Sequence, residues 1–232
     1  MVGFKRIGVL GGMGPQATIL LQQRLVTSIR AEDDASHIPL LIDMNPQIPS
    51  RLDWILKQEG RDPGPVLVDM AKTLESAGAC ALAMPCNTAH YYAPQITAAV
   101  SIPLLNMITL AAQAIVQSAG EGARVGILAS PATQGINLFK DAFVNHGLEV
   151  IYPDLSEPLL AAIRRIKSQG ATDKDYEALQ NAGQDCQQQG ANCLLVGCSE
   201  FSLIADAVDG TLPMIDSMDV LVREIVAFSS SE

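Results

Sequence analysis

Short apolar runs of strand length alternate with amphipathic segments along this 232-residue chain. The amphipathic segments repeat apolar residues at helical spacing, as in ATILLQQRLVTSIR and GPVLVDMAKTLESAG. This alternation predicts an α/β fold with mainly parallel sheets and right-handed helical crossovers. The predicted strands are Arg6–Leu10, Pro39–Asp43, Cys80–Met84, Ile102–Met107, Arg124–Ala129, Glu149–Tyr152, Cys193–Val196 and Leu212–Asp216.

The order of these features recurs once along the chain. RIGVL, beginning at Arg6, returns as RVGIL at Arg124, and IPLL returns 110 residues later as LPMI. Several matches in the same order indicate an internal repeat. The sequence therefore predicts two similar lobes related by pseudo-twofold symmetry, each a sheet flanked by helices. We expect residues 1–110 with 211–232 to form the first lobe, 111–210 to form the second, and the active-site cleft to lie between them.

Two cysteines occupy matching places in this repeat. Cys86 and Cys198 lie 112 residues apart, and each ends an apolar run that opens with a Gly-Ala turn. Asn87-Thr88 follows the first and Ser199-Glu200 follows the second, so hydrogen-bonding groups stand beside each thiol. Ligands of open α/β sheets bind at such carboxyl strand ends, and a thiolate is a competent base. Taken singly, each is more typical of a small buried core residue, and it is the matching pair that favours a site.

Composition and charge exclude several classes of function. The net charge is −10 and the pI is near 4.7, which disfavours nucleic acid as a partner. No apolar run reaches membrane-spanning length, and the N-terminal run ends in glycines, so we expect no membrane association and a cytoplasmic location. Five cysteines without a C-x-x-C pair indicate reduced thiols, and the three histidines lack ligand spacing. We expect neither a metal site nor a cofactor.

Further polar candidates lie near predicted strand ends. GVLGGMGPQAT follows the first strand and opens a helix, where backbone N–H groups can hold a carboxylate-sized anion; a plain tight turn explains it equally well. It lacks the G-x-G-x-x-G register and a following G-K-[ST]. Arg51 can grip a carboxylate or be solvated, and Lys167 can satisfy helix-end carbonyls. Ser130 and Thr133, at the matching turn of the second lobe, can bind a ligand or cap a helix.

The motifs GGMGP-x-AT, NPQIP-x-R, M-x-CNTAH and GC-x-E together resemble the aspartate/glutamate racemase family, and within it the cofactor-independent aspartate racemases. The resemblance spans nearly the whole chain. It implies a two-lobed enzyme, often a homodimer, in which Cys86 and Cys198 are the catalytic pair. It further implies substrate contacts from Met13, Gly14, Asn87, Thr88 and Thr133, with Arg51 and Lys167 on the distal carboxylate.

Three departures from the family pattern bear on specificity. Ser50 stands where many relatives carry aspartate, so a negative charge that contacts the substrate ammonium is absent and strict aspartate specificity is not implied. Ser130 and Ser199 replace threonines and keep the hydroxyl. The implied reaction is removal of the α-proton by one thiolate while the opposite thiol delivers a proton to the other face, interconverting L- and D-aspartate. The alternatives are glutamate or broad-specificity racemisation, another reaction of a small dicarboxylate, and non-catalytic amino-acid binding.

Overall fold

The computed structural model describes residues 4–208 and 210–231, which divide into two compact units. Unit 1 comprises the described residues up to Met107 together with those from Leu221 onward, and unit 2 is Ile108–Val220. The sequence predicted the boundaries between the two lobes at 110/111 and 210/211. The second boundary, after Val220, lies ten residues later than predicted because the strand Met214–Asp216 pairs with the sheet of unit 2.

Each unit contains one four-stranded parallel sheet. The strands of unit 1 are β1 Ile7–Gly11, β2 Leu40–Met44, β3 Ala81–Ala83 and β4 Leu104–Leu105, and those of unit 2 are β5 Arg124–Leu128, β6 Glu149–Ile151, β7 Cys193–Val196 and β8 Met214–Asp216. Their spatial orders are β2-β1-β3-β4 and β6-β5-β7-β8. All pairs are parallel, and the second sheet repeats the order of the first. The predicted α/β class and the two similar lobes are confirmed.

Helices connect the strands as parallel pairing requires. They are α1 Pro15–Ser28, α2 Gly64–Ser76, α3 Ala93–Ala99, α4 Met107–Ala119, α5 Pro131–Gly135, α6 Leu138–Val144, α7 Ser156–Gln169, α8 Asp173–Gln188 and α9 Ser217–Ser230. The central strands β1, β3 and β7 are buried at every position, as expected for parallel strands covered on both faces.

The fourth strand of each sheet is shorter than predicted. The sequence favoured Ile102–Met107, but only Leu104–Leu105 forms β4, and Met107 already begins α4. Proline lacks the N–H that a strand needs, so Pro103 contributes only its carbonyl, which accepts from the N–H of Leu82. The carbonyl of Pro213 plays the same part before β8, where it accepts from the N–H of Leu194.

Candidate active site

Both cysteines lie just beyond the carboxyl end of the third strand of their own sheet. Cys86 follows β3 by three residues and Cys198 follows β7 by two, and both are buried, with 8% and 6% of their surface exposed. The glycine turn of unit 1 leaves the neighbouring strand β1 at the same sheet edge, and Ser130 leaves β5 at the corresponding edge of unit 2. Each sheet therefore gathers its own cysteine and its own strand-end turn at one edge.

The Cys86 turn, residues 84–92, is held by backbone hydrogen bonds. The N–H of Cys86 donates to the carbonyl of Met84 over 2.7 Å, and the Cys86 carbonyl accepts from the N–H of Ala89. Asn87 and Thr88, which follow the thiol, are both buried, Asn87 almost completely. An amide and a hydroxyl therefore lie directly beside the thiol at this edge of the sheet.

At the Cys198 turn, residues 197–203, the buried Cys198 and Glu200 form a chain of three polar groups with the half-buried Lys167 of α7. The thiol of Cys198 donates to Oε2 of Glu200 over 3.2 Å, and Nζ of Lys167 lies 3.4 Å from Oε1 of the same carboxylate. Burial raises the pKa of Cys198 well above its usual value, and the Glu200 carboxylate raises it further, while Lys167 acts in the opposite direction. Cys198 is therefore held as the thiol.

Glycine is required at position 197 by its surroundings. A Cβ at Gly197 would lie 2.6 Å from Cζ of Phe139 and 3.3 Å from Cβ of Ala129. Contacts under 3.0 Å force a neighbour to move, and Phe139 is fully buried. The glycine therefore allows the Cys198 turn to approach the aromatic core of unit 2 closely.

The glycine turn of unit 1 is tightly built. Gly12 has a φ of +92°, and a Cβ there would collide with the backbone of Asn45. Its N–H donates to the hydroxyl of Thr18 over 3.0 Å, so this N–H stabilises the turn itself. Gly14 is the N-cap of α1 and receives no side-chain cap, and Met13 is buried in the same apolar cluster as Cys86. The N-terminus of α1, at Met13 and Gly14, is therefore suited to bind an anion.

Ser130 and Thr133 are both buried in the matching turn of unit 2. The Ser130 hydroxyl accepts from the N–H of Ala132 and caps α5, while the Thr133 hydroxyl donates to the Ser130 carbonyl over 2.7 Å. The capping alternative for Ser130 is thus observed. As an acceptor in that bond, the hydroxyl keeps its own proton for donation to a ligand.

Arg51 is half-buried in the loop after β2. Its Nη1 donates to the Pro49 carbonyl over 3.1 Å, which fixes one arm of the guanidinium. The hydroxyl of Ser50 accepts from the N–H of Asp53 over 3.1 Å. Serine and aspartate accept such a bond equally well, so serine keeps the local fold without a negative charge beside Arg51.

Within each unit the structure brings several predicted residues together. Lys167 and Cys198 meet at Glu200, and Ser199 lies buried between the thiol and that carboxylate in sequence. Met13 and Cys86 share an apolar cluster. Glu200 itself was not predicted as a site residue; its place two residues after the thiol was the available signal.

His90 is a second residue whose role the sequence did not show. Its Nδ1 lies 2.9 Å from the carbonyl oxygen of Cys86, and its Nε2 accepts from the backbone N–H of Met107 over 3.1 Å. Burial lowers the pKa of His90 to about 4. It is therefore a neutral group attached to the backbone of the turn rather than a cationic partner of the thiol.

The part of the chain that the structure describes holds neither a cluster of metal-ligating side chains nor a membrane-spanning helix. Among residues 4–208 and 210–231, no group of three or more His, Cys, Asp and Glu side chains is placed to hold a metal ion. None of the helices in this part of the chain has the length and apolar character needed to span a membrane.

The described residues thus form two similar α/β units, each with a buried cysteine beyond the carboxyl edge of its sheet. A model of the family described as "Asp/Glu/Hydantoin racemase" matches residues 10–225, and the chain belongs to that family. The predicted family resemblance is confirmed.

Individual relatives fit the same class. The chain is 25% identical over 229 residues to the "Broad specificity amino-acid racemase RacX" of Bacillus subtilis (strain 168), covering 95% of this chain and 96% of the relative. It matches the structure of the Picrophilus torridus aspartate racemase with a TM-score of 0.86 at 25% identity, covering 98% of this chain and 95% of that one. A glutamate racemase from Francisella tularensis, solved with D-glutamate, shares the fold with a TM-score of 0.71 at 17% identity, covering 97% and 80% of the two chains.

Proposed function

We propose that this protein racemises an acidic amino acid, aspartate being the first substrate to test, without pyridoxal phosphate. Cys86 and Cys198 act on opposite faces of one α-carbon. The observation that carries the proposal is the repeat of the catalytic element: two sheets of identical strand order each deliver a buried thiol at the end of the third strand. A single catalytic thiol would not require this duplication.

The protonation state of Cys198 suggests the resting arrangement. Because burial and Glu200 favour the thiol form of Cys198, we assign Cys198 as the proton donor and Cys86 as the base that removes the α-proton. The C–H bond breaks towards the Cys86 sulfur while a new C–H bond forms from the Cys198 thiol on the other face. After one turnover Cys86 carries the proton and Cys198 is the thiolate, which is the form that converts the opposite enantiomer.

Stabilisation of the carbanion must come from donors on the chain. The α-proton of an amino acid is a very weak acid, so negative charge grows on the substrate carboxylate as the proton leaves. The end of α1 at Met13 and Gly14, the Asn87 amide and the Thr88 hydroxyl supply donors on the Cys86 side. One such preorganised donor is typically worth about 10²–10³ in rate. On the Cys198 side we assign the hydroxyls of Ser130 and Ser199 to the same task, while Thr133, whose proton goes to the Ser130 carbonyl, holds the Ser130 turn in place.

Arg51 and Lys167 are proposed to hold the distal carboxylate. Lys167 shares its charge with Glu200, so a substrate carboxylate would join that ion pair rather than replace it. The absence of an acidic residue at position 50, together with the broad-specificity relative, supports a second candidate function, racemisation of several amino acids. The two candidates differ only in substrate range.

The test is proton exchange at the α-carbon in D₂O, followed with L- and D-aspartate, glutamate and a panel of neutral amino acids, without added pyridoxal phosphate. The native protein should form the opposite enantiomer with deuterium at the α-carbon. Cys86→Ala and Cys198→Ala should each abolish racemisation, whereas Cys80→Ala, an exposed thiol before β3, should not. Exchange of one enantiomer without inversion in an alanine variant would identify the face that the remaining cysteine serves.

Three results would reject or narrow the proposal. Native rates in either Cys86→Ala or Cys198→Ala would exclude the two-base mechanism. Absence of exchange with every amino acid would exclude racemisation. Inversion of neutral amino acids as fast as aspartate would reject acidic specificity and leave the broad-specificity candidate.

A further inference from the structure

A buried histidine links the Cys86 turn to the beginning of helix α4. His90 is only 3% exposed, and its two ring nitrogens face different backbone groups, the Cys86 carbonyl and the Met107 N–H. A backbone N–H can only donate, so Nε2 must be the acceptor. The ring proton is therefore on Nδ1, which donates to the Cys86 carbonyl oxygen over 2.9 Å.

The beginning of α4 explains why an imidazole serves here. Met107 is the first residue of α4, and the first N–H groups of a helix have no partner within the helix. Nε2 of His90 satisfies the first of them. The positive end of the helix dipole opposes a charged imidazolium at this point, in agreement with the pKa of His90, which burial lowers to about 4.

In unit 2 the Cys198 turn is connected to the start of α9, the corresponding helix, through Ser202 and Asp216. Ser202 follows Cys198 by four residues, as His90 follows Cys86, and its N–H donates to the Cys198 carbonyl over 3.0 Å. The Ser202 hydroxyl donates to Oδ1 of Asp216 over 2.7 Å, and that oxygen accepts from the N–H of Met218 over 2.8 Å in the first turn of α9. The backbone N–H and hydroxyl of Ser202, together with the carboxylate of Asp216, thus make the connection that the imidazole makes in unit 1.

Both units hold the carbonyl of the cysteine against the corresponding helix start, although the side chains that do so differ. In both units the backbone of the cysteine turn is connected to the start of the helix that follows the fourth strand. The common element is the position of the cysteine carbonyl, and hence of the sulfur two bonds from the same Cα.

We propose that His90 is a positioning residue for Cys86, acting through its neutral Nδ1–H tautomer. The inference rests on the proposed function, because it assigns His90 to the geometry of a reacting thiol. His90 contacts backbone groups and leaves the reacting atoms to other residues, so its loss should lower kcat more than it changes KM. Displacement of a reacting group by about 1 Å can cost about 10²-fold in rate.

Two substitutions separate the hydrogen bonds of the ring. His90→Asn keeps a donor near the Nδ1 position and loses the acceptor for Met107, and His90→Gln keeps an acceptor near the Nε2 position and loses the donor. His146→Gln, on the half-buried histidine after α6, is the matched control. We expect kcat to fall roughly 10- to 100-fold in both His90 variants, with a smaller change in KM and native values in the control.

Alkylation by iodoacetamide gives a readout independent of turnover. Cys86 and Cys198 are followed as separate peptides by mass spectrometry across a pH series, so each protein carries its own internal reference. The His90 variants should alkylate faster at Cys86, by severalfold, with the Cys198 profile unchanged. Equal acceleration at both cysteines would show general loosening and overturn the positioning role, as would native kcat and native alkylation at Cys86.

The tautomer is measured on the native protein, which avoids any failure of a variant to fold. Nitrogen-15 NMR of histidine-labelled protein should show a protonated Nδ1 and an unprotonated Nε2 for His90 at pH 7. A protonated Nε2 would overturn the inference. If the native protein racemises nothing, the proposed function fails by itself, and alkylation and NMR still decide whether His90 sets the geometry of the Cys86 turn.

Discussion

The buried carboxylate of Glu200 allows a quantitative test of the Cys198 environment. Glu200→Gln keeps the size and hydrogen-bonding capacity of the side chain but removes the negative charge 3.2 Å from the sulfur. A pair of unit charges at that distance interacts by about 5 kcal/mol at an effective dielectric constant near 20. Since about 1.4 kcal/mol changes an ionisation equilibrium tenfold, removing the charge should greatly favour the thiolate. The pKa of Cys198 should fall in the variant.

The assay is iodoacetamide alkylation of the Cys198 peptide at fixed pH, with the Cys86 peptide of the same sample as reference. A thiolate of lower pKa is a weaker nucleophile, which offsets roughly half of the gain on a logarithmic scale. We therefore expect roughly a tenfold or greater acceleration at Cys198 in Glu200→Gln. Glu157→Gln, an exposed residue in the first turn of α7, should leave the rate unchanged. An unchanged or slower rate in Glu200→Gln would refute the electrostatic account of this thiol.

Three further predictions concern stability and are measured as free energies of unfolding in urea. Burial would raise the pKa of Asp175, but hydrogen bonds and a neighbouring arginine lower it below the usual value, so its stabilisation is present above pH ~4 and is lost at lower pH. Asp175→Asn should cost about 2–4 kcal/mol at pH 7, and equal stabilities there would contradict this. Gly197→Ala should cost about 1–3 kcal/mol through its contact with Phe139, whereas Gly210→Ala, where a Cβ meets nothing within 4 Å, should be neutral. Because burial lowers the pKa of His90 to about 4, the unfolded chain binds a proton between pH 6.5 and 4 that the folded protein does not. The free energy of unfolding of the native protein, relative to that of His90→Gln, should therefore fall by about 3 kcal/mol over this range. A difference that stays constant with pH would contradict this prediction.

Much of the fold could be predicted because parallel strands have a strong sequence signal. The strand Cys193–Val196 has the predicted bounds, since a continuous apolar run between a Gly-Ala turn and polar residues leaves little choice. The fourth strand was predicted too long for two reasons. Pro103 has no N–H to donate to a neighbouring strand, and Met107 fits an apolar strand and the start of a helix equally well. Pairing with β3, and not local sequence, decides how much of this segment becomes a strand.

The candidate site could be predicted only where its residues are neighbours in sequence. Cys86 and Asn87 were visible together, as were Cys198 and Ser199. The pairing of Lys167 with Glu200 depends on the last turn of α7 packing near the Cys198 turn, and no spacing encodes it. The acceptor role of His90 depends in the same way on a residue 17 positions later, which the β3–β4 pairing brings near.

The carboxylate at position 200 has no counterpart in the other repeat, where Thr88 stands two residues after the thiol. Mirror-image substrates have identical free energies, so the Haldane relation requires kcat/KM to be the same for both enantiomers. An acidic neighbour at one sulfur alone makes the two protonation forms of the free enzyme unequal in energy. In a two-thiol racemase this inequality gives the two enantiomers different KM and kcat values. The enantiomer with the lower KM also has the lower kcat, so that kcat/KM stays the same for both.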